Sequence, residues 1–303
     1  MMSEEDIAEY HNIGKTVKRV FVIGNGESRR SIDLRKLREH GKIYGCNALY
    51  RDFTPDVLVG VDQGIMHEIY HSGYCHKNQC YFRNWSKVPA ELFDNMIKAG
   101  ATDEDLRLAR EEGAFYENKR TPETNHFVMH GSSVAGVAHV VRKDKTKGKR
   151  YVQQKSIKIS WIKDNDKSNC INDILEDKKD PGWAAGPISG YIACLKEKPD
   201  EVYLIGHDLN STTGKVNNMY KGTQNYVLPD HAPTPSVNWV QQWKQTFWDF
   251  NGKNKHDRVE FIKVNPDLKQ ANEVNNPVRE WDGTVRNLQY MDMKQFMENF
   301  YLK

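Results

Sequence analysis

The stretch Lys18-Arg19-Val20-Phe21-Val22-Ile23-Gly24-Asn25-Gly26-Glu27-Ser28 decides how the rest of this chain is read. Its apolar, largely β-branched run stops at two glycines flanking an asparagine, the pattern of a buried strand entering a tight loop. Ser31 then precedes Ile32, Leu34 and Leu37 in a charged background, which predicts a capped helix ending near Gly41. Lys42 to Asn47 and Asp56 to Asp62 predict two further short strands, the second introduced by Thr54-Pro55. Strand, helix, strand, strand at this spacing predicts an α/β fold: a Rossmann-like, mostly parallel sheet with crossovers.

Working outward, Pro89 to about Gly113 is helical in composition, and His126 to Val141, around Gly131-Ser132-Ser133, suits another strand-loop-helix step. Lys143, Lys145, Lys147, Lys149 and Arg150 crowd together before Ile157, Ile159 and Trp161 alternate with polar residues, so residues 142–167 are expected to form an inserted basic β-hairpin. Gly186-Pro187-Ile188-Ser189-Gly190 reads as a small-residue loop opening into a helix. Glu201 to Gly206 is a strand ending in His207-Asp208. Residues 209–235 form a polar, lid-like loop. Asn238 to Phe250 is an aromatic-rich helix whose Trp and Phe residues belong to a core, Arg258 to Val264 a strand, and Met293 to Tyr301 a terminal helix. The expected organisation is an N-terminal extension (1–17), a nucleotide-binding domain (18–270) and a helical C-terminal portion (271–303).

Composition narrows the function. Lys and Arg number 44 against 41 Asp and Glu, a net charge of +3 that gives no electrostatic reason to expect nucleic acid as partner. No apolar run approaches the ~20 residues of a membrane-spanning helix. Five cysteines, odd and sparse, argue for free thiols in a reducing compartment, so a cytoplasmic location is expected.

In an open α/β sheet, ligands bind at the carboxyl edge, where loops follow strands. Gly24, Asn25, Gly26 and Ser28 lie at the end of the first strand, Asn47 at the end of the second, and Asp208 at the end of the late strand; with Ser189 and Gly190 they are the expected nucleotide site. Glycine there lets a phosphate or ribose approach, and an asparagine amide both donates and accepts.

Val22 to Ser28, Tyr44-Gly45-Cys46-Asn47, Ile188-Ser189-Gly190-Tyr191, Val202 to Asp208 and Phe261 to Pro266 follow in an order that resembles the bacterial sialyltransferases of glycosyltransferase family 42. The series is also similar to the related motility-accessory-factor and 6-hydroxymethylpterin pyrophosphokinase group. The resemblance implies a CMP-sugar donor, no essential cofactor, and transfer to a hydroxyl of a glycan or other acceptor. It implies that Asn25 and Asn47 contact nucleotide and phosphate, that Ser189 and Gly190 approach by backbone, and that Asp208 lies near the ribose. It further implies a general-base histidine on a loop, for which His231 is the candidate, with Tyr220 and Tyr226 stabilising the departing phosphate. Asn210 and Gly186 depart from the family pattern, which has a tyrosine and an arginine at those places.

Three alternatives stand beside this reading. One is a pyrophosphokinase using Mg²⁺ held by carboxylates such as Asp62 and Asp208. Another is a nucleotide-binding or assembly protein without chemistry, including a homo-oligomer. The third comes from His67-Glu68-Ile69-Tyr70-His71, which matches the H-E-x-x-H zinc motif, with Cys75, His76 and Cys80 nearby. Ser72-Gly73 ends that helix at once, and with eleven histidines a chance match is the plainer explanation, so no metal site is expected.

Overall fold

The computed structural model describes residues 16–98, 102–130, 141–143, 150–152, 157–177, 179–209, 211, 213–265, 281 and 283–302. In chain order the elements are β1 (Arg19–Ile23), β2 (Lys42–Cys46), β3 (Val57–Gly60), α1 (Gln63–His71), β4 (Gln79–Phe82), β5 (Val88–Pro89), α2 (Phe93–Lys98), α3 (Asp103–Glu111), β6 (Phe115–Glu117), β7 (His126–His130), β8 (Val141–Lys143), β9 (Arg150–Val152), β10 (Ile157–Ile162), β11 (Ser168–Cys170), α4 (Ala185–Glu197), β12 (Glu201–Ile205), α5 (Val237–Asp249), β13 (Glu260–Asn265), β14 (Leu288–Asp292) and α6 (Met293–Phe300). An eight-stranded parallel sheet runs in the order β11-β4-β3-β2-β1-β12-β13-β14, which is the α/β, Rossmann-like architecture expected from the first strand. The chain divides into two compact units, one of Met1–Tyr44, Gly190–Met219 and Asp230–Lys303, the other of Gly45–Ser189 and Tyr220–Pro229.

In the first unit β1 pairs in parallel with β12, from Arg19 opposite Glu201 to Ile23 opposite Ile205. Val20, Phe21, Val22 and Ile23 are all wholly buried, which is why this run reads as uninterrupted apolar sequence rather than as an alternation. The segment expected to be a helix after β1 is instead two 3₁₀ turns, Glu27–Ser31 and Leu34–Glu39, the second started by the Asp33 carboxylate accepting from Arg35 N–H. Ile32, Leu34 and Leu37 are the buried apolar residues of that stretch, too few for an amphipathic α-helix face. The C-terminal segment is more than a helical tail, because β14 adds a parallel strand beside β13, from Phe261 opposite Leu288 to Asn265 opposite Asp292. Trp243 and Phe247 on α5 stack at 5.7 Å, and Trp281 meets Phe247 edge-on at 5.0 Å while its indole N–H donates to the Val240 carbonyl. The aromatic helix is therefore core on that face, and Trp248 is half exposed on the other.

In the second unit β3, β4 and β11 are parallel. A separate four-stranded sheet has the order β5-β7-β10-β6. Phe93, Phe127 and Trp161 cluster against it, with ring centroids 4.7 to 5.7 Å apart. The expected hairpin over 142–167 is shorter than its sequence suggests. β8 and β9 pair antiparallel, Val141 opposite Val152, but β10 leaves them to pair antiparallel with β7. The physical reason is burial: Ile159 and Trp161, two of the alternating apolar residues, fill the aromatic cluster of this second sheet. Lys145, Lys147 and Lys149, like Gly131-Ser132-Ser133, lie outside the described residues.

Candidate functional site

The glycine loop after β1 is tightly braced within the first unit. Gly24 N–H donates to Ile205 O and Gly26 N–H to Gly206 O, both at 2.8 Å. Glu27 N–H donates to Asn217 Oδ1 at 2.8 Å, and Ser28 N–H to Asp208 Oδ2 at 3.1 Å, while the Ser28 hydroxyl donates to Asp208 Oδ1. A Cβ on Gly24 would fall 2.5 Å from Gly206 O, and one on Gly26 would collide with the Asp208 carboxylate. The glycines thus let the loop after β12 approach, and the backbone donors of residues 24 and 26–28 already have acceptors. Asn25 O accepts from Met219 N–H at 2.8 Å. Beneath the loop Lys263 is buried, its amine brought down to about 8 by burial against the opposing pull of Asp208. Both Asp208 oxygens thus accept from Ser28, which fixes the carboxylate against the glycine loop.

The remaining expected residues fall as follows. Ser189 and Gly190 are not in a loop but inside α4, which starts at Ala185. A Cβ on Gly190 would lie 2.6 Å from the Trp243 ring, so the helix needs glycine there for close packing. Ser189 is wholly buried, and its hydroxyl has no hydrogen-bond partner among the described residues. His231 is exposed, and its carbonyl accepts from Val216 N–H at 2.8 Å. Tyr220 is buried and donates to the Asp52 carboxylate; Tyr226 accepts from Ala48 N–H at 3.3 Å, and burial raises its phenol well above the ordinary range. The Arg51 guanidinium lies over both rings, 5.7 and 5.6 Å from their centroids. Arg51 also donates to Thr223 Oγ1 at 2.6 Å and Gln224 O at 2.9 Å. Residues 220–229 of the lid-like loop are therefore anchored within the second unit.

A cavity of about 410 Å³ in that second unit gathers Asp62, Gln63, Gly64, Arg83, Asn84, His130 and Asn225 at the carboxyl ends of β3 and β4. Asn47 builds it from below. In a left-handed conformation (φ 48°), its amide donates to Asp62 Oδ2 at 3.2 Å and its carbonyl oxygen accepts from Val61 N–H at 3.4 Å. Asp62 is solvent-accessible at the mouth, yet shielding by the surrounding protein raises its carboxyl above the ordinary range, against the opposing Arg83 charge and Asn47 amide. Asp62 Oδ1 has no hydrogen bond to the described residues. Arg83 Nε and Nη2 bind Asp180 at 2.5 and 3.2 Å, and Nη2 also reaches Trp183 O. Its Nη1 carries no hydrogen bond among the described residues, and Arg83 lines the cavity. Gln63 Oε1, at the start of α1, is buried without a partner among the described residues. A charge clamped by a buried carboxylate, beside a second carboxylate with a free oxygen, can hold an anion and take a proton from a hydroxyl.

The H-E-x-x-H side chains have other protein groups as partners. Glu68 accepts from Tyr50 OH at 2.6 Å, Arg51 Nε and Nη2 at 2.8 Å each, and Asn225 Nδ2 at 2.6 Å, which fills its carboxylate. His67 and His71 instead turn to Ser160 on β10, and His67 continues to His130 on β7. Among the described residues no three His, Cys, Asp or Glu side chains form a group that would hold a metal ion.

Of the cavity residues, Asn47 and, as a metal ligand only, Asp62 are legible in the sequence, whereas Arg83, His130, Gln63 and Asn225 are not. A signal was present in Gln79-Cys80-Tyr81-Phe82, a short apolar run followed at once by Arg83, the same strand-then-polar pattern that marked Ile23-Gly24. No helix among the described residues is long and apolar enough to cross a membrane. No protein-family model, no curated protein and no solved structure matches this chain.

Proposed function

We propose that this chain is a nucleotide-dependent transferase, with glycosyl transfer from a CMP-type donor to a hydroxyl acceptor as the leading reaction, and that its ligand site is the Asp62–Arg83 cavity. The observation that carries the reading is that cavity: about 410 Å³, at the carboxyl edge of parallel strands, lined by both the Arg83 guanidinium and the Asp62 carboxylate, whose pKa is raised. The order of motifs from Val22 to Pro266 supplies the sugar-nucleotide class. Arg83 takes a phosphate oxygen through Nη1, anchored from behind by Asp180. Asp62 accepts the proton of the attacking hydroxyl, a role His231 was expected to fill. A base of raised pKa holds the abstracted proton more firmly, and general-base assistance of this kind is worth ~10²–10⁴ in rate.

Thermal melts with CMP, UDP, GDP and ATP, followed by hydrolysis of a CMP-sugar, test this. A nucleotide at 100 times its Kd raises stability by about 2.7 kcal/mol, a readily measured shift. Arg83→Gln is expected to lose that shift, and Asp62→Asn to keep it while losing turnover. No shift with any nucleotide, or a shift untouched by Arg83→Gln, refutes the assignment. Binding without turnover in the wild type leaves a nucleotide-binding protein and removes the transferase.

A further inference from the structure

A string of buried histidines ends on the wall of this cavity, and the chemistry of one carbonyl fixes its direction. His130 Nε2 lies 2.7 Å from the Arg83 carbonyl oxygen, which only accepts, so Nε2 carries the proton. Neutral His130 then has a bare Nδ1, which accepts from His67 Nε2 at 2.9 Å. His67 Nδ1 is bare in turn and accepts from the Ser160 hydroxyl. Ser160 Oγ accepts from His71 Nε2 at 2.9 Å, and His71 Nδ1 accepts from the Asn118 amide at 3.1 Å. Asn118 is exposed, His71 half-buried, Ser160 and His67 buried, and His130 lines the cavity.

We propose that anion binding in the Asp62–Arg83 cavity draws one proton into this string, entering at His71 and leaving its positive charge on His130. The inference rests on the cavity being an anion site. The proton attaches to His71 Nδ1, and the Nε2 proton of His71 passes to Ser160 Oγ. The serine hydroxyl proton passes to His67 Nδ1, and the His67 Nε2 proton to His130 Nδ1. Asn118 turns its amide to offer oxygen. Every bond from Asn118 to His130 reverses, the one to Arg83 O keeps its direction and none is lost: His130 ends as an imidazolium donating to Arg83 O and to His67 Nε2.

The groups facing the string explain why the ligand is needed. Lys158 on β10 and Arg83 after β4 are cations, and Asp62 is the carboxylate across the cavity. The Tyr70, Trp85 and Tyr116 rings, which pack on it from α1, the loop after β4, and β6, are neutral. Burial, with Lys158 adding to it at His67 and His71, therefore keeps the three histidines neutral when no anion is present, and their pKa values all lie below the ordinary range. An anion beside Arg83 and His130 provides the countercharge that a buried imidazolium requires. By reciprocity, a proton on His130 strengthens anion binding by the same factor.

Inorganic sulfate, which does not titrate near neutrality, is the probe. Calorimetry at pH 7 in two buffers of different ionisation enthalpy counts the protons taken up, and ¹⁵N spectra of histidine-labelled protein read each ring. The expected result is about one proton per sulfate, affinity rising ~tenfold per pH unit of acidification, and His130 passing from the Nε2–H form to the imidazolium. Asp62→Asn is expected to keep the uptake and His130→Gln to lose it; should His130→Gln fail to fold, the wild-type spectra decide. Sulfate binding with no proton uptake, or with His130 still neutral, overturns the coupling while leaving the anion site standing. Failure of sulfate to bind at all overturns both.

Discussion

Acidification provides a direct measure of how the second unit is held together. His67 is buried, and its pKa is lowered from near 6.5 to about 2, first by desolvation and then by the neighbouring His130, His71 and Lys158 charges. The unfolded chain protonates His67 below about 6.5 and the folded one does not, so stability is complete above that pH and falls as pH drops towards the folded value. Between pH 7.5 and 5.0 the loss from this one residue is about 2 kcal/mol, since each pH unit well below 6.5 costs about 1.4 kcal/mol. His67→Gln removes the titrating group while its amide can still donate to His130 Nδ1. The variant is expected to be less stable at pH 7.5, because the bond from Ser160 loses its acceptor, but its stability curve is expected to be flatter by about 2 kcal/mol between pH 7.5 and 5.0. Urea denaturation of both proteins at both pH values, with hydrogen exchange at residues 63–71 to isolate the second unit, measures this. Parallel curves for the two proteins would refute the claim that a buried neutral His67 underlies the acid sensitivity.

Other changes report on separate parts of the molecule. His207, buried in the first unit and lowered to about 3 by burial, is expected to give that unit a similar acid sensitivity, about 2 kcal/mol at pH 5.0, read by hydrogen exchange along β1 and β12. Gly190→Ala drives a methyl group into the Trp243 ring and is expected to cost ~1–3 kcal/mol in thermal unfolding. Arg83→Met leaves the buried Asp180 carboxylate without its partner and is expected to cost ~3–5 kcal/mol, much of it recovered by adding Asp180→Leu. Asn287, whose amide reaches the carbonyls of Phe247, Phe250 and Val259 at 3.0 Å each, is expected to cost ~1–3 kcal/mol on change to Ala, through acceptors left bare. His231→Ala, on an exposed residue, is expected to change stability by less than ~0.5 kcal/mol, as circular dichroism melts can verify.

Much of the fold is local information. Val20 to Ile23 and Val202 to Ile205 announce themselves because strands buried on both faces must be apolar at consecutive positions, and that needs no knowledge of neighbours. The aromatic spacing on α5 likewise marks a helix with one buried face. What local pattern does not carry is the destination of a segment. Ile159 and Trp161 alternate as a hairpin strand would, and only the aromatic cluster around Phe93 and Phe127 draws them onto β7. Ser189-Gly190 has loop composition, and only the Trp243 ring reveals why a helix keeps glycine there.

The glycines at 24 and 26 were legible as a strand end, but whether their backbone donors face a ligand depended on Asp208 and Asn217, nearly two hundred residues later, which occupy them. Arg83 and His130 carry little meaning in sequence, being a polar residue after a short strand and the last residue of another. Arg83 becomes a charge clamped by Asp180 because β3 and β4, parallel neighbours, end at one edge, and His130 becomes the inner end of a histidine string because β7 of the second sheet ends beside His67 of α1. Sequence alone thus determined the parallel α/β sheet, since hydrophobic periodicity is a property of neighbouring residues. Tertiary structure alone decided which strand ends keep a free hydrogen-bonding group, since that is a property of what packs against them.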